Sequence, residues 1–141
     1  YIKLDQCFSA VETYEAKQSM RFNWVVRMRP DVWFFEVIPP VCSMEHGAIS
    51  FPTGVIGCGY SPCANDHMAF APRKLAPPFF QIVRDMHTCG GLANLSRHPK
   101  NYNLWRLLEQ RVPLASPSPI VPYTLLRPCS QSNESYYPEC L

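Results

Sequence analysis

Apolar and polar positions first separate along residues 3 to 20. Leu4, Cys7, Phe8, Val11 and Tyr14 recur at i, i+3, i+4, i+7 and i+10, while Glu12, Glu15, Lys17 and Gln18 take much of the remainder. That period predicts an amphipathic helix. At Arg21 the period changes. Phe22-Asn23-Trp24-Val25-Val26 is a continuous run rich in β-branched and aromatic side chains, which predicts a strand covered on both faces, as in an α/β sheet. Pro30 has no amide donor and holds Arg29 extended, so the strand ends there.

Residues 32 to 40, VWFFEVIPP, read as a second short strand closed by Pro39-Pro40. From Val41 to Ala64 the chain is rich in Gly, Pro and Cys and reads as loop. HMAFAPR, residues 67 to 73, is a further strand pattern. Pro77-Pro78 suits the first turn of a helix whose stripe is Phe79, Ile82, Val83 and Met86, with Gly90-Gly91 as its stop. NLWRLLEQRV, residues 103 to 112, predicts another helix with Leu104, Leu107, Leu108 and Val112 inward. Beyond Pro113 the chain is proline- and serine-rich with little periodicity. Helices alternating with strands predict the α/β class, with residues 1–112 as one domain and 113–141 as a tail.

Composition narrows the class. A chain of 141 residues with 47% hydrophobic and 17% charged residues is globular rather than disordered or fibrous. A net charge of +2 without a Lys/Arg run argues against a nucleic-acid binder. No apolar stretch reaches the ~18 residues of a membrane-spanning helix. Tyr1 in place of Met suggests a piece of a longer chain, with any anchor upstream. Seven cysteines and two sequons, Asn94-Leu95-Ser96 and Asn133-Glu134-Ser135, point to the secretory lumen, where disulfides persist.

Two clusters carry candidate chemistry. Asp31 falls at the carboxyl end of the first strand, where open α/β sheets bind ligands. A carboxylate there can ligate a hard divalent cation or accept a hydrogen bond from a ligand hydroxyl. Arg27 and Arg29 share its parity, and guanidinium groups grip phosphate oxygens in a fork. Set beside this is a purely structural reading: Asp after Pro is a common turn residue, and the arginines can pair with Asp5, Glu36 or Asp66. The second cluster is CANDHMAFAPR, residues 63 to 73. Asp66 there can act as a base toward an acceptor hydroxyl, with His67 beside it, or Asn65-Asp66 can be an ordinary turn.

Taken together, FNWVVRMRPDVWF and, about thirty residues on, GCGYSPCANDHMAFAPR resemble a group of eukaryotic and viral glycosyltransferase-like proteins. Their pattern is an aromatic-Asp-Trp-Val-hydrophobic-Arg-x-Arg-x-Asp strand, then a Gly-rich loop and Asn-Asp. Tyr14-Glu15 before the strand also looks like that family, and the resemblance covers roughly residues 4 to 75. It implies the C-terminal portion of a GT-A-type domain, a Rossmann-like α/β/α sandwich, and a nucleotide-sugar donor with a glycan or other hydroxyl acceptor. It implies a Golgi location and Mn²⁺ or Mg²⁺ as cofactor. Arg29-Pro30-Asp31 matches the Asp-x-Asp metal motif, with Asp31 as the metal-touching acid. Arg29 replaces the motif's first acid, and a guanidinium there can neutralise a diphosphate directly. Arg27, Arg29, Asp31 and Asn65 are then substrate-binding residues and Asp66 the catalytic one.

Three rival readings stand beside this one. Cys42, His46, Cys58, Cys63 and His67 offer soft ligands for zinc, at spacings that match no familiar knuckle. The same cysteines suit disulfides, for instance Cys58 to Cys63. A non-catalytic carbohydrate-binding relic of the fold would use aromatic faces, although Trp24 and Trp33 read more readily as core. No G-x-S-x-G elbow supports a serine hydrolase.

Overall fold

The computed structural model describes residues 2–52, 66–86, 99–116 and 121–126. Asn65, Cys58, Cys63, Cys89, Cys129, Cys140, both sequons and the Gly90-Gly91 stop lie outside the described residues. The first helix, α1, runs Ile2–Gln18. Strands β1, Trp24–Met28, and β2, Val32–Phe34, follow. Strand β3 is Met68–Pro72, followed by a 3₁₀ turn at Arg73–Leu75. Helices α2, Ala76–Phe80, α3, Ile82–Met86, and α4, Pro99–Glu109, come next, and β4 is Tyr123–Leu125. The content is mixed α/β.

β3 is the axis of the molecule. It runs antiparallel to β1, with Val25 opposite Ala71 and Arg27 opposite Ala69. On its other edge Ser50 and Phe70 exchange two backbone hydrogen bonds of 2.9 Å. Ile49 in turn bridges Leu114 in parallel. Side chains of β3 alternate between two cores, as the pleat requires. Ala69 and Ala71 face a core made by Phe8 of α1, Phe79 and Phe80 of α2, Leu107 of α4, and Val25, Ile49 and Phe51. Met68 and Phe70 face a second core with Met44, Val121 and Tyr123, against which Trp24, Val32 and Phe34 pack. The second face is covered by the β2·β4 ribbon, in which Val32 pairs with Leu125 and Phe34 with Tyr123. All five residues of β3 are buried.

The expected doubly covered strand is therefore β3, not β1. Val26 is 45% exposed and Met28 52%. The physical reason is position: among the described residues β1 is bonded on one edge only, and the covering ribbon sits over β3. Small Ala69 and Ala71 admit the bulky Phe79 and Phe80, whose rings meet at 5.2 Å. The single helix expected from Pro77 is broken at Gln81 into two short pieces; Phe79, Ile82 and Val83 are buried as expected. Leu108, expected inward, is outward and 57% exposed. The tail, expected to lack periodicity, supplies β4.

α1 corrects the expected stripe in an informative way. Cys7 and Tyr14 face out, and Tyr14 stacks on Phe22 instead. Glu15, placed by its polarity on the outer face, is buried at 7% exposure. It lies four residues after Val11 and seven after Phe8, on the inward side. Its carboxylate receives Arg73 side-on: Nε donates to Oε1 at 2.9 Å and Nη2 to Oε2 at 2.7 Å. The Phe22 amide donates to Oε1 at 3.0 Å. Arg73 also lies over the Phe8 ring at 4.8 Å. Both Arg73 and the β1 entrance are thereby tied to one helix.

α1 and α4 end alike. Ser19 and Arg111 adopt φ of 50° and 52°. Met20 donates to the Glu15 carbonyl and Ser19 to Ala16, and Val112 and Arg111 repeat the pattern onto Leu107 and Leu108. These are Schellman closures formed without glycine, and the Val112–Leu107 pair supplies the accompanying apolar contact.

Two outcomes are expected of this packing. Arg73→Ala leaves Glu15 charged and buried, so unfolding in urea should show a loss of about 3–5 kcal/mol. The hydrogen bonds from Arg73, and then from Phe22, hold the Glu15 carboxyl below its usual 4.5 against the upward push of burial. A lowered folded value gives stability that is full above the unfolded value and lost as pH falls through the folded one. The stability difference between wild type and Glu15→Gln should accordingly shrink on acidification below about pH 4.5. Asn103 on α4 is 1% exposed, and neither polar atom of its amide has a hydrogen-bond partner. Asn103→Leu should raise stability by about 1–3 kcal/mol in the same assay.

Candidate functional site

The ends of the β1·β3 ladder each hold an arginine between two carboxylates. At the end marked by Trp24 and Pro72, Arg73 meets Glu15 and, at 3.5 Å, Glu12. An open groove of about 600 Å³ lies there, with Ser19, Met20 and Arg21 on its other wall. Its two acids and Arg73 are already engaged: Glu15 and Arg73 satisfy each other, and Glu12 receives Gln81 at 3.2 Å. This end is structural.

At the other end, past Met28 and Met68, the charges are partly open to solvent. The Arg29 amide donates to the His67 carbonyl at 2.9 Å, carrying the ladder one step beyond the strands. Pro30-Asp31 then turns the chain into β2, and the Val32 amide closes the turn on the Arg29 carbonyl at 3.3 Å. The turn folds Asp31 back onto Arg29. Nε donates to Oδ1 at 2.9 Å and Nη2 to Oδ2 at 2.7 Å, a two-point fork. Nη1 reaches Asp66 Oδ2 at 3.4 Å, a longer contact. Side-chain exposures are 31% for Arg29 and 26% for Asp31, with Asp66 at 32%. The bond to Asp31, then the attraction of both carboxylates, raises the Arg29 pKa against burial. Arg29 stays charged at every pH the protein meets.

His67 extends the cluster inward. Its Nε2 lies 3.5 Å from Asp66 Oδ1, and its Nδ1 lies 3.1 Å from the buried Tyr123 hydroxyl. The two rings meet edge to face at 5.9 Å. His67, expected only to stand beside Asp66, is buried, and its partner Tyr123 comes from β4. Tyr123 was missed because it sits in the proline-rich tail, where only the short alternation of Val121, Tyr123 and Leu125 hints at a strand.

The structure brings Arg29, Asp31 and Asp66 together across 35 residues of sequence and divides them from Arg27. That arginine points to the helix face, its guanidinium carbon 5.7 Å from the centre of the Phe79 ring. Shared parity holds only while the strand is straight, and the turn at Pro30 ends it. Asn65 lies outside the described residues.

A divalent cation does not fit at Asp31. Both its oxygens already accept from Arg29, and Arg29 occupies the space between Asp31 and Asp66 where a cation would bind them jointly. Among the described residues no group of three or more His, Cys, Asp or Glu is gathered as a metal site, which covers Cys42 with His46 as well. Cys7 and Cys42 are free thiols. Among the described residues no helix is long and apolar enough to cross a membrane.

Comparison of the chain with protein-family models, curated proteins and solved structures finds no match.

The His67–Tyr123 contact joins β3 to β4, so its loss should be felt in folding. Tyr123→Phe keeps the ring and removes the hydroxyl, and should cost about 1 kcal/mol in urea unfolding.

Proposed function

We propose that this chain is part of a glycosyltransferase-like domain of the GT-A type, with a Rossmann-like sandwich as the fold that reading calls for. It moves a sugar from a nucleoside diphosphate to a hydroxyl acceptor, in the secretory lumen. The observation that carries the proposal is the half-open Arg29–Asp31–Asp66 cluster, which unites the two sequence motifs of the resemblance at one end of one ladder.

Arg29 has five N–H donors. Asp31 takes two and Asp66 one, and the remaining two lie one on each terminal nitrogen. Phosphate oxygens fit that pair, and charge-assisted bonds to a guanidinium are the strong kind. With one guanidinium and two carboxylates the cluster is net negative while His67 is neutral, so an incoming diphosphate competes with Asp66. The 3.4 Å contact is the weaker of the two and the one to yield. Asp31 keeps Arg29 aimed, and Asp66, no longer held by Arg29, accepts the proton.

In transfer, the acceptor oxygen bonds to the anomeric carbon as the bond from that carbon to the diphosphate oxygen breaks. The electron pair leaves with the diphosphate, whose growing charge Arg29 stabilises. The acceptor proton goes to Asp66. No step calls on a divalent cation.

The test is titration of the chain with UDP and GDP, then with their sugars. Arg29→Gln should weaken nucleotide binding at least tenfold, and chelator should change it less than about threefold. Asp66→Asn should bind nucleotide as tightly or more tightly while transfer falls by about 10²–10⁴. Absence of any affinity for UDP, GDP or their sugars in the wild-type chain overturns the proposal.

A further inference from the structure

The two oxygens of Asp66 have different surroundings. Oδ2 is the one that Arg29 Nη1 reaches, at 3.4 Å. Oδ1 is turned inward, out of contact with solvent, and faces His67 Nε2 at 3.5 Å. The side chain as a whole is 32% exposed, so its open part lies away from Oδ1. His67 stands between that inward oxygen and β4. It is buried, and its other ring nitrogen, Nδ1, lies 3.1 Å from the hydroxyl of buried Tyr123. Its backbone is held too, because its carbonyl accepts from the Arg29 amide at 2.9 Å.

The proton positions follow from what each group can give. An ionised carboxylate only accepts, and a neutral imidazole has one N–H and one lone pair. A lone pair on Nε2 would be repelled by the charge of Asp66, so the proton sits on Nε2. Nδ1 then carries the lone pair, and the Tyr123 O–H donates to it. At 3.5 Å the Nε2–Oδ1 contact is long for a hydrogen bond, so the N–H dipole holds the charge mainly through space. We propose that Tyr123 and His67 form a relay that positions Asp66. Tyr123 fixes the tautomer of His67, and His67 holds Oδ1 while leaving Oδ2 to react. The role rests on the transferase reading and deepens it, since it supplies what keeps the base in place. When a diphosphate draws Arg29 off Oδ2, Oδ1 keeps its partner and the carboxylate does not swing away. The acceptor oxygen then bonds to the anomeric carbon, its proton passes to Oδ2, and the electron pair of the broken bond leaves with the diphosphate. His67 gives up no proton in this step. It acts only through Asp66, and Tyr123 acts only through His67.

Two measurements on the full chain test the relay. Long-range ¹H–¹⁵N NMR near pH 8, where an ordinary imidazole is neutral, reads the tautomer of His67, whose signals are those missing in His67→Gln. Wild type should show Nε2–H, and in Tyr123→Phe the Nδ1–H form should appear beside it. Hydrolysis of UDP-glucose and GDP-mannose, with water in the acceptor's place, reads turnover, and titration with UDP and GDP reads binding. His67→Leu should lower kcat tenfold or more and Tyr123→Phe about three- to tenfold, each with nucleotide affinity within about twofold of wild type. Urea unfolding checks that both variants are folded. Nδ1–H in wild type, a tautomer unchanged in Tyr123→Phe, or an undiminished kcat in His67→Leu overturns the relay and leaves the transferase reading standing. So does a parallel loss of affinity and kcat, because His67 then only supports the fold. If neither nucleotide sugar is hydrolysed, the tautomer decides alone. The expected tautomers with no binding of UDP, GDP or their sugars sink the transferase reading and leave the hold on Asp66 standing.

Discussion

One buried ion pair decides how the first helix lies. Glu15 has left water, and Arg73 and the Phe22 amide compensate it through hydrogen bonds, which hold α1 against the start of β1 and the end of β3. In that pose Phe8 enters the core beside Phe80, 5.1 Å between ring centres. Asp5 meets Arg84 at 2.7 Å, and Glu12 meets Gln81. Because the Phe22 amide is bound to the same carboxylate, the chain enters β1 in fixed register with β3. Buried pairs of this kind add little net stability over an apolar substitute. Here the pair fixes where α1 meets β3, since Glu15 and Arg73 are each buried and each other's main partner.

That register positions the opposite end. Five paired residues separate Arg73 from Arg29, roughly 20 Å at the usual strand rise, and each arginine faces two acids. The difference between the two ends is solvent. Where α1 covers the ladder, the pair is closed and structural. Where Pro30 turns the chain away into β2, the second arginine remains half open with donors to spare. The same chemical unit thus serves as a staple at one end and offers a site at the other, and coverage alone separates them.

The aromatic content divides in the same manner. Phe8, Phe79 and Phe80 close the helix-side core, and Tyr123 closes the ribbon-side core while orienting His67. Trp33 and Phe35 are left over on the outer face of the ribbon. A two-strand ribbon has one face to bury, and whatever alternates with the buried set must meet solvent or a ligand.

Several elements were legible from local pattern because their physics is local. The helical period of residues 3–20, the strand ended by Pro30, the short strand before Arg73 and the prolines opening α2 follow from backbone restriction and side-chain period. Arg29, Asp31 and Asp66 were legible as chemistry, since charged residues at a strand tip stand out from an apolar run. Partnership was not legible. Polarity sent Glu15 outward, although its spacing from Phe8 and Val11 pointed in, and only the arrival of Arg73 from 58 residues away makes burial of that charge tolerable. Parity grouped Arg27 with Arg29 until the turn parted them, and β4 lay hidden in a proline-rich stretch because a three-residue strand exists only through its pairing with β2. The sequence by itself determined where helix and strand can form and which charges stand at their ends. Tertiary structure decided which strand is covered twice, which acid is buried and which tryptophan is bare, because coverage depends on what packs from distant parts of the chain.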